Sequence, residues 1–390
     1  MNPIYAKLGT TIFEEMSLLA RRYDAINLGQ GFPDTDGALE VRQAAADALL
    51  NRSNQYPPTM GMPELRNAVA EHYARFQNLS IGPEHVLVTS GGTEALAASI
   101  LGLLSPGDEV VMIQPMYDAY RPMVEQAGGV ARYITLEPPA WRITLEQVEA
   151  AFAGSPKLLV FNDPLNPVGR AFDKAEIDLL ASACHRHGTI AICDEVWEHV
   201  LFEGRRHWSL LGLPETRRQA VKIGSAGKIF SMTGWKVGFV VADPVLLQPI
   251  ARAHQFLTFS TPPALQIGVA YGLAKDEDWF AQSRSDFQRA RDCLSDVLRG
   301  EGFTVLPSEG TYFLCVDLQA SGVSMDDQVF CRRAVEEARV AAIPLSSFYH
   351  GVAQSGIVRL CFAKQADVLQ EAGRRLGAWR RSCVSATHSG

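Results

Sequence analysis

The sequence predicts an α/β fold in three layers, with a mostly parallel sheet between two layers of helices, and a smaller α+β domain attached to it. Apolar runs of strand length alternate with helical patterns through the middle of the chain, which is typical of a parallel sheet. The runs are apolar throughout, as expected for strands that helices cover on both faces. The predicted strands are "HVLVTSG", "DEVVMIQP", "KLLVFNDP", "TIAICDEV", "AVKIGSAG" and "KVGFVVAD".

Helical patterns separate several of these runs, among them "TEALAASILGLL" and "KAEIDLLASACHRHG". Asp173 is a suitable N-cap for the second helix, and Gly188 is a suitable stop after it. We place the large domain, which contains this alternating region, at residues 41–285.

The C-terminal part has a different character. A long charged helical stretch, "DWFAQSRSDFQRARDCLSDVLRGEG", precedes two strand-like runs, "TYFLCVDL" and "GIVRLCFA". This pattern predicts a small α+β domain over residues 286–390. Residues 1–40 contain an amphipathic helical run, "TIFEEMSLLARRY", and we expect this N-terminal segment to pack on the small domain.

Composition excludes several classes of function. The chain has 390 residues and a net charge of -7, with no basic block, so nucleic acid is not an expected partner. Its apolar runs are far shorter than a membrane span, and its N-terminus has no apolar signal core. A cytoplasmic location is therefore expected. The seven cysteines never form a C-x-x-C pair, which favours reduced thiols and no metal site.

Polar, aromatic and glycine-rich residues follow the predicted strands directly. In an open α/β sheet, ligands bind at the carboxyl ends of the strands. Five such ends on one sheet edge therefore predict a binding site there. They are "SGGTE" (90–94), "QPMYDAY" (114–120), "NDPLNPVG" (162–169), "DEVW" (194–197) and "SAGK" (225–228).

Two nucleotide-binding motifs fail on these residues. "GQGFPD" (29–34) lacks the third glycine of a dinucleotide fingerprint and opens no helical pattern. "GSAGKIF" has Ile229 where a phosphate-binding P-loop needs Ser or Thr after the lysine.

The remaining groups are complementary to one cofactor. A helix N-terminus at "SGGTEAL" offers free N–H groups to a phosphate, and Ser225 and Lys236 could add a hydroxyl and a cation. Asp194 ends an apolar run, where a carboxylate needs a cationic partner. Lys228 offers an amine beside the same strands. A phosphate, a ring N–H⁺ and an aldehyde are the groups of pyridoxal phosphate, which needs an anion site, a carboxylate and a lysine.

In several of its motifs, the chain resembles the fold-type I, class I/II aminotransferases, which depend on pyridoxal phosphate. "SAGKIFSMTGWKVG" resembles the family's S-x-[SG]-K-x-x-x-x-x-G-[WL]-[RK]-x-G signature, "NDPLNPVG" resembles N-P-x-N-P-x-G, and "CDEVW" resembles D-E-x-Y. "NLGQGFPD", "NQYPPTMGMPELR", "IPLSSFYHG" and "VRLCFA" match further blocks in the same order, from about residue 10 to about residue 375. "NLGQGFPD" and "GWKVG" are most similar to the kynurenine/glutamine/methionine-type branch.

The resemblance implies a role for each matching residue. Lys228 would form a Schiff base with the cofactor and then move a proton, Asp194 would pair with the pyridinium nitrogen, and Arg359 would bind the substrate α-carboxylate. Cofactor contacts are implied for Gly92, Thr93, Tyr117, Asn166, Trp197, Ser225 and Lys236, and substrate contacts for Gly31, Asn166 and Phe13, although helix packing alone would explain Phe13 equally well.

Tyr56 and Trp197 need separate comment. The resemblance implies that Tyr56 reaches the cofactor phosphate of the other subunit, and hence that the protein is a homodimer. Trp197 stands where the family usually has a tyrosine after D-E-x. Its indole has no hydroxyl, so the resemblance leaves open how the group at that position acts on the cofactor.

These residues imply an aminotransferase that moves an amino group from an L-amino acid to a 2-oxo acid. No second arginine is placed by a motif to bind a side-chain carboxylate, and Phe13, Tyr117 and Phe348 are expected near the substrate, so a large apolar or aromatic donor is favoured. A C–S β-lyase acting on cysteine conjugates and an aspartate-type aminotransferase remain alternatives. A non-catalytic regulator fused to a DNA-binding module is disfavoured, because no room precedes the large domain and the chain is acidic.

Overall fold

The computed structural model describes residues 1–351 and 356–387. Its strands are β1 Ile26–Asn27, β2 Val86–Thr89, β3 Glu109–Gln114, β4 Val130–Thr135, β5 Leu158–Asn162, β6 Ile190–Asp194, β7 Ala220–Ser225, β8 Gly238–Ala242, β9 Thr304–Val305, β10 Phe313–Asp317, β11 Val340–Ala341, β12 Ile343–Pro344 and β13 Ile357–Cys361. Its α-helices are α1 Ile12–Arg22, α2 Leu39–Asn51, α3 Pro63–Gln77, α4 Gly91–Leu103, α5 Tyr120–Gln126, α6 Leu145–Phe152, α7 Lys174–His187, α8 Ala226–Ile229, α9 Pro244–Leu257, α10 Pro263–Leu273, α11 Glu277–Gly300, α12 Asp327–Arg333 and α13 Ala366–Thr387.

A seven-stranded sheet forms the centre of the molecule, in the order β2-β8-β7-β6-β5-β3-β4. Every neighbouring pair is parallel except the two that involve β8, which runs antiparallel between β2 and β7. All six predicted strands are present, and the mostly parallel sheet is confirmed. The prediction missed β4, an edge strand whose sequence, "VARYIT", mixes polar and apolar residues because most of it is only partly buried.

Alternate residues of each strand pack on opposite faces of the sheet. Val111 belongs to the apolar core on one face, and its neighbours Val110 and Met112 belong to the core on the other. Helices α4, α5 and α9 supply one core, and helices α3, α6 and α7 contribute to the other. The sheet is therefore the middle of three layers, as predicted.

Helix α7 has the predicted ends. The Asp173 carboxylate accepts a hydrogen bond of 3.0 Å from the backbone N–H of Glu176, which closes a capping box. Gly188 follows the helix in the left-handed conformation, with a φ of 67°, and glycine adopts this conformation without strain.

The C-terminal part contains a four-stranded antiparallel sheet in the order β12-β13-β10-β9. The predicted strands "TYFLCVDL" and "GIVRLCFA" are β10 and β13 of this sheet. Strand β1 of the N-terminal segment pairs with β11, and α1 contacts β11, β12 and α12. Helix α11 runs without interruption through residues 285 and 286, and the three domain limits given above stay predictions.

A network of buried charges joins β7 to the segment that follows β6. The Lys222 ammonium contacts the carboxylates of Glu195 and Glu198, the latter at 2.6 Å. Nε2 of His207 lies 2.6 Å from Glu195, and its Nδ1 lies 3.3 Å from Asp163. Each charge in the network is therefore paired, which buried ionised groups require.

Among the described residues, none of the helices combines the length and the apolar character that crossing a membrane requires.

Candidate active site

The carboxyl ends of the parallel strands surround a cavity of about 240 Å³. Nine of the ten residues predicted to contact the cofactor line it, contributed by five different strand ends and by the loop before β8. They are Gly92, Thr93, Tyr117, Asn166, Asp194, Trp197, Ser225, Lys228 and Lys236.

One end of this cavity offers hydrogen-bond donors to an anion. Helix α4 begins here at Gly91, so its first N–H groups have no partner within the helix. Lys236 lies beside this turn, because a Cβ atom built on Gly91 would be 3.1 Å from the Lys236 Nζ. Gly238 of β8 also approaches the turn closely, since its own Cβ would lie 2.5 Å from the Gly91 carbonyl carbon. A helix N-terminus with a nearby ammonium is suited to bind a phosphate.

The other end contains a buried carboxylate. Asp194 is 5% exposed at the end of β6, and the Tyr120 hydroxyl donates a 2.6 Å hydrogen bond to it. Burial raises the pKa of Asp194, and the hydrogen bond from Tyr120 opposes this rise. The Asn162 side chain donates to the Asp194 carbonyl and accepts from the backbone N–H of Asn166, which holds Asn166 next to Asp194. A cation placed in the cavity would relieve the cost of burying Asp194.

Lys228 lies between these two ends on the short helix α8. Its Nζ donates a 3.1 Å hydrogen bond to the Tyr312 hydroxyl and lies 4.7 Å from the centre of the Trp197 ring. Burial lowers the pKa of Lys228 to about 8, and the nearby cations of Arg359 and Lys236 act in the same direction. More of this amine is therefore neutral, and able to react, at physiological pH than for an ordinary lysine.

Arg359 of β13 is buried beside the same cavity. Its Nη1 donates to the Asn166 side-chain oxygen at 2.8 Å, and its Nη2 donates to the Gly29 carbonyl at 2.8 Å. Its Nε is buried and has no hydrogen-bond partner among the described residues. Three phenylalanine rings surround the guanidinium, with centres 3.9–5.2 Å from its Cζ: Phe13, Phe313 and Phe348.

Two other predicted substrate residues lie on this side. The Gly31 carbonyl accepts a hydrogen bond from the Tyr312 hydroxyl. A Cβ on Gly31 would lie 2.8 Å from the Phe313 ring, so glycine permits the close approach of this loop. The Phe13 ring packs edge-on against Phe348, with ring centres 5.7 Å apart, so Phe13 both packs α1 and lies beside Arg359.

Tyr56 is the predicted cofactor residue that does not line the cavity. Its side chain is 84% exposed, and it borders a surface groove of about 700 Å³ together with Trp235 and Pro262. Tyr56 thus lies outside the cavity of its own chain, and its predicted contact with the phosphate of another subunit stays a prediction.

Three residues of this site had no predicted role: Tyr120, Asn162 and Tyr312. Tyr120 and Asn162 stood within the quoted motifs "QPMYDAY" and "NDPLNPVG", so their position at strand ends was available as a signal. Tyr312 does not stand at the end of a predicted strand of the large sheet. Its contact with Lys228 forms only because the C-terminal part of the chain packs beside the cavity, which no sequence motif indicated.

The strand ends of a mostly parallel sheet bring together a lysine, a buried carboxylate and a helix N-terminus, and a strand of the smaller sheet adds a buried arginine beside them. This combination defines a pyridoxal-phosphate-dependent aminotransferase. Residues 23–376 match the family model for aminotransferase class I and II, and the chain belongs to this family.

Relatives that are similar in sequence support the same assignment. The chain is 38% identical to a methionine aminotransferase of Escherichia coli, over 95% of this chain and 96% of the relative. It is 39% identical to a probable N-succinyldiaminopimelate aminotransferase of Mycobacterium tuberculosis, over 94% and 95% of the two chains. It is 33% identical to human kynurenine–oxoglutarate transaminase 1, over 94% and 95%. The protein is thus an enzyme that uses amino acids and 2-oxo acids.

Solved structures agree with the fold. The structure of the Escherichia coli methionine aminotransferase superposes with a TM-score of 0.93 at 37% identity, covering 97% of this chain and 99% of that one. A Thermus thermophilus aspartate aminotransferase superposes with a TM-score of 0.89 at 29% identity, over 97% and 99%. The more similar relatives act, by their names, on methionine, kynurenine and succinyldiaminopimelate, so the aspartate-type alternative is not favoured.

Members of this family with this fold use pyridoxal phosphate. The residues of the cavity fit this cofactor. Asp194 is a buried carboxylate that forms no salt bridge with the other described residues, so it suits a protonated ring nitrogen, and the N-terminus of α4 suits a phosphate.

Proposed function

We propose that the enzyme transfers the amino group of a large apolar or aromatic L-amino acid to a 2-oxo acid. The enclosure of Arg359 by Phe13, Phe313 and Phe348 carries this proposal. A guanidinium in that position can bind the α-carboxylate of a substrate while the rings contact an apolar side chain. The named substrates of two relatives, methionine and kynurenine, are amino acids of this kind.

We assign the remaining roles from position. When bound, pyridoxal phosphate supplies an electron sink that weakens the bonds at the substrate's α-carbon. Lys228 provides the amine that holds the cofactor and moves the α-proton, and Asp194 keeps a positive charge at the ring nitrogen. Asn166 is oriented toward the cavity by Asn162 and Arg359, and Tyr117 lines one of its walls. Gly92, Thr93, Ser225 and Lys236 bind the phosphate.

A homodimer is the second part of the proposal. Tyr56 and Phe256 are 84% and 86% exposed, and Tyr56 packs against Phe259 at the groove described above. Exposed aromatic side chains that cluster in this way mark a protein interface. A second copy on this face would cover them and receive Tyr56 near its phosphate site. A cytoplasmic location remains our expectation from the sequence.

A panel of amino donors tests the proposed substrate class. Each amino acid is mixed with the cofactor-loaded enzyme, and the loss of the cofactor's visible absorbance is followed in single turnovers. We expect methionine and aromatic amino acids to react faster than aspartate by at least about tenfold, a difference of about 1.4 kcal/mol in transition-state binding. A faster reaction of aspartate would contradict the proposal.

The same experiment separates transfer from C–S β-lyase activity. Transfer leaves one equivalent of the amine form of the cofactor per site and no ammonia. A β-lyase acting on a cysteine conjugate releases pyruvate and ammonia repeatedly without an added 2-oxo acid.

A further inference from the structure

The ε-amine of Lys228 contacts a phenol that lies far from it in sequence. Nζ of Lys228 donates a 3.1 Å hydrogen bond to the hydroxyl of Tyr312, the residue before β10. The Tyr312 hydroxyl in turn donates to the Gly31 carbonyl. A phenol has one proton to donate, so the oxygen lone pairs are directed at Lys228. Tyr312 is fully buried, and this orientation is therefore fixed by its surroundings.

Aromatic rings complete the surroundings of this amine. The Tyr312 ring packs edge-on against Trp197, with centres 4.2 Å apart and planes at 88°. The Lys228 Nζ lies 4.7 Å from the Trp197 ring centre and 5.5 Å from that of Tyr312. The Trp197 indole makes no hydrogen bond to Lys228, so among the described residues the hydroxyl of Tyr312 is the polar group that holds the amine.

We propose that Tyr312 is a positioning residue for the reaction: its hydroxyl oxygen holds the free amine of Lys228 in place, and supplies near this amine the phenol that Trp197 does not provide. The inference rests on the proposed role of Lys228 as the lysine that holds the cofactor.

The reaction creates a need for such a group. Lys228 is released from the cofactor in every half-reaction, and a free lysine side chain has four rotatable bonds and a large rotamer entropy. Holding the amine near its reactive position keeps the loss of this entropy out of the reaction barrier. Tyr312 meets this need from outside the large sheet, and its bond to Gly31 couples the amine to the loop on the substrate side.

The contact has two effects of opposite sign on the rate. As an acceptor, the Tyr312 oxygen favours the charged amine and lowers the neutral fraction that can react. As an anchor, it orients the neutral amine. The other titratable or charged groups that face Lys228 are Asp194, Arg359, Lys236 and Cys361, and Tyr312→Phe leaves all four unchanged. A pH profile therefore separates the two effects.

The test compares Tyr312→Phe with the parent in attachment of pyridoxal phosphate. The neutral Lys228 amine adds to the cofactor's aldehyde carbon, and one water leaves as the C=N bond forms. The full chain is freed of cofactor, pyridoxal phosphate is added at saturation, and the first-order rise of its visible absorbance is measured from about pH 6 to about pH 10. Phenylalanine keeps the ring and its contact with Trp197, and circular dichroism checks that the fold is retained.

We expect two changes together in Tyr312→Phe. The midpoint of the rate profile moves to lower pH by about one unit, because the charged amine loses an acceptor. The plateau at high pH, where every amine is neutral, falls by about tenfold, because orientation is lost. A midpoint equal to that of the parent, or an equal plateau, overturns the proposal.

Tyr349→Phe is the matched control. The Tyr349 hydroxyl also donates to a backbone carbonyl, that of Leu136 at 2.8 Å, and its hydrogen bonds do not involve Lys228. We expect the parent's midpoint and plateau in this variant. Borohydride reduction of the loaded parent, followed by peptide mapping, tests the proposed role of Lys228 separately from that of Tyr312. A label on a lysine other than Lys228 refutes the proposed function and leaves no amine for Tyr312 to position.

Discussion

Trp197 shows how one residue changes the electrostatics of the site. A tyrosine at this position could donate a hydrogen bond to the cofactor, whereas the indole ring packs against Tyr312 and lies beneath the Lys228 amine. A hydrogen bond to a charged form stabilises that form, so the loss of a donor raises the pKa of the group that it would have stabilised. Trp197 is 3% exposed and lines the cavity, so it is placed to have this effect.

We therefore expect Trp197→Tyr to lower the pKa at which the visible absorbance of the resting, cofactor-loaded enzyme changes. A hydrogen bond to a charged group contributes about 1.5–3 kcal/mol, which corresponds to a shift of about one to two units. A pH titration of the absorbance measures it. An unchanged or higher value would mean that the indole N–H already does what the tyrosine hydroxyl would do.

Lys228 carries the most direct prediction at this scale. Lys228→Ala removes the amine that we propose attaches the cofactor and moves the proton, so we expect turnover to fall by about 10⁴-fold or more while the fold is kept. Steady-state rates measure the loss. Retained turnover would contradict the proposed role of Lys228. Lys222→Ala cannot serve as a control, because Lys222 belongs to the buried charge network.

The individual residues were not equally predictable. Roles could be predicted for Lys228, Asp194 and Arg359 because each stands in one of several family-like motifs whose order and spacing together are specific. Tyr312 could not, because its contact with Lys228 joins positions 84 residues apart and depends on how β10 packs against the large sheet. Sequence patterns describe the neighbours of a residue along the chain, and this contact is made across the fold.

Strand β8 shows how an element shapes the site. It is antiparallel to its neighbours, so its first residue, Gly238, lies at the same edge as the carboxyl ends of the parallel strands. There it packs against the turn that begins α4, with space for a hydrogen atom and none for a methyl group.

Gly238→Ala should therefore push this turn away and weaken cofactor binding. A methyl carbon 2.5 Å from the Gly91 carbonyl carbon cannot be accommodated without a backbone shift, and we expect the affinity for pyridoxal phosphate to fall by at least about tenfold. Fluorescence titration of the cofactor-free protein measures the affinity. Gly234→Ala is the control, because a Cβ there meets nothing within 4 Å. Equal affinity in the two variants would show that the turn is not a phosphate site.

The elements were predicted best where burial is complete. Apart from β4, the other six strands of the large sheet are buried along nearly their whole length, so their sequences are mostly apolar. Strand β4 escaped prediction because an edge strand that is partly exposed keeps polar residues. Short pairings such as β1 with β11, of two residues each, have no sequence pattern long enough to detect.

At the scale of the whole molecule, the buried charge network makes stability depend on pH. Burial alone would lower the pKa of His207, but the carboxylates of Glu195 and Asp163 outweigh it and raise this pKa to about 9. Burial alone would raise the pKa of Glu195, but Lys222 and His207 lower it to about 2.

The direction of each pKa shift decides how stability changes with pH. The contribution of His207 is complete below its unfolded pKa of about 6.5 and is lost as pH rises through 9, whereas that of Glu195 is complete above about 4.5 and is lost as pH falls through 2. We expect the melting temperature to be highest between about pH 5 and about pH 6.5 and to fall toward pH 9. In His207→Asn the alkaline decrease should be smaller, whereas the surface variant His185→Asn should keep it. A parallel decrease in all three proteins would exclude His207 as its source.

The exposed aromatic face gives a prediction about assembly. Phe256 lies in the last turn of α9, close to the loop that carries Phe259, and a charge at this position would be buried if a second copy covers the face. We expect Phe256→Glu to sediment as a monomer and to lose turnover, because Tyr56 no longer reaches a second cavity. Val329→Glu places the same charge at an exposed position of α12, and this variant should behave as the parent. A monomeric parent with full activity would refute the homodimer.

The loop at residues 29–32 is held through its backbone carbonyls by side chains that come much later in the chain. Tyr312 binds the carbonyl of Gly31, Arg359 that of Gly29, and Lys364 that of Phe32. During synthesis on the ribosome, this loop is made about 330 residues before Arg359 is added. Until Arg359 and Lys364 are made, the carbonyls of Gly29 and Phe32 lack the side chains that hold them in the folded protein. A nascent chain can thus complete its central sheet while it still lacks the arginine that we propose binds substrate, and on this proposal we expect activity only near the end of translation.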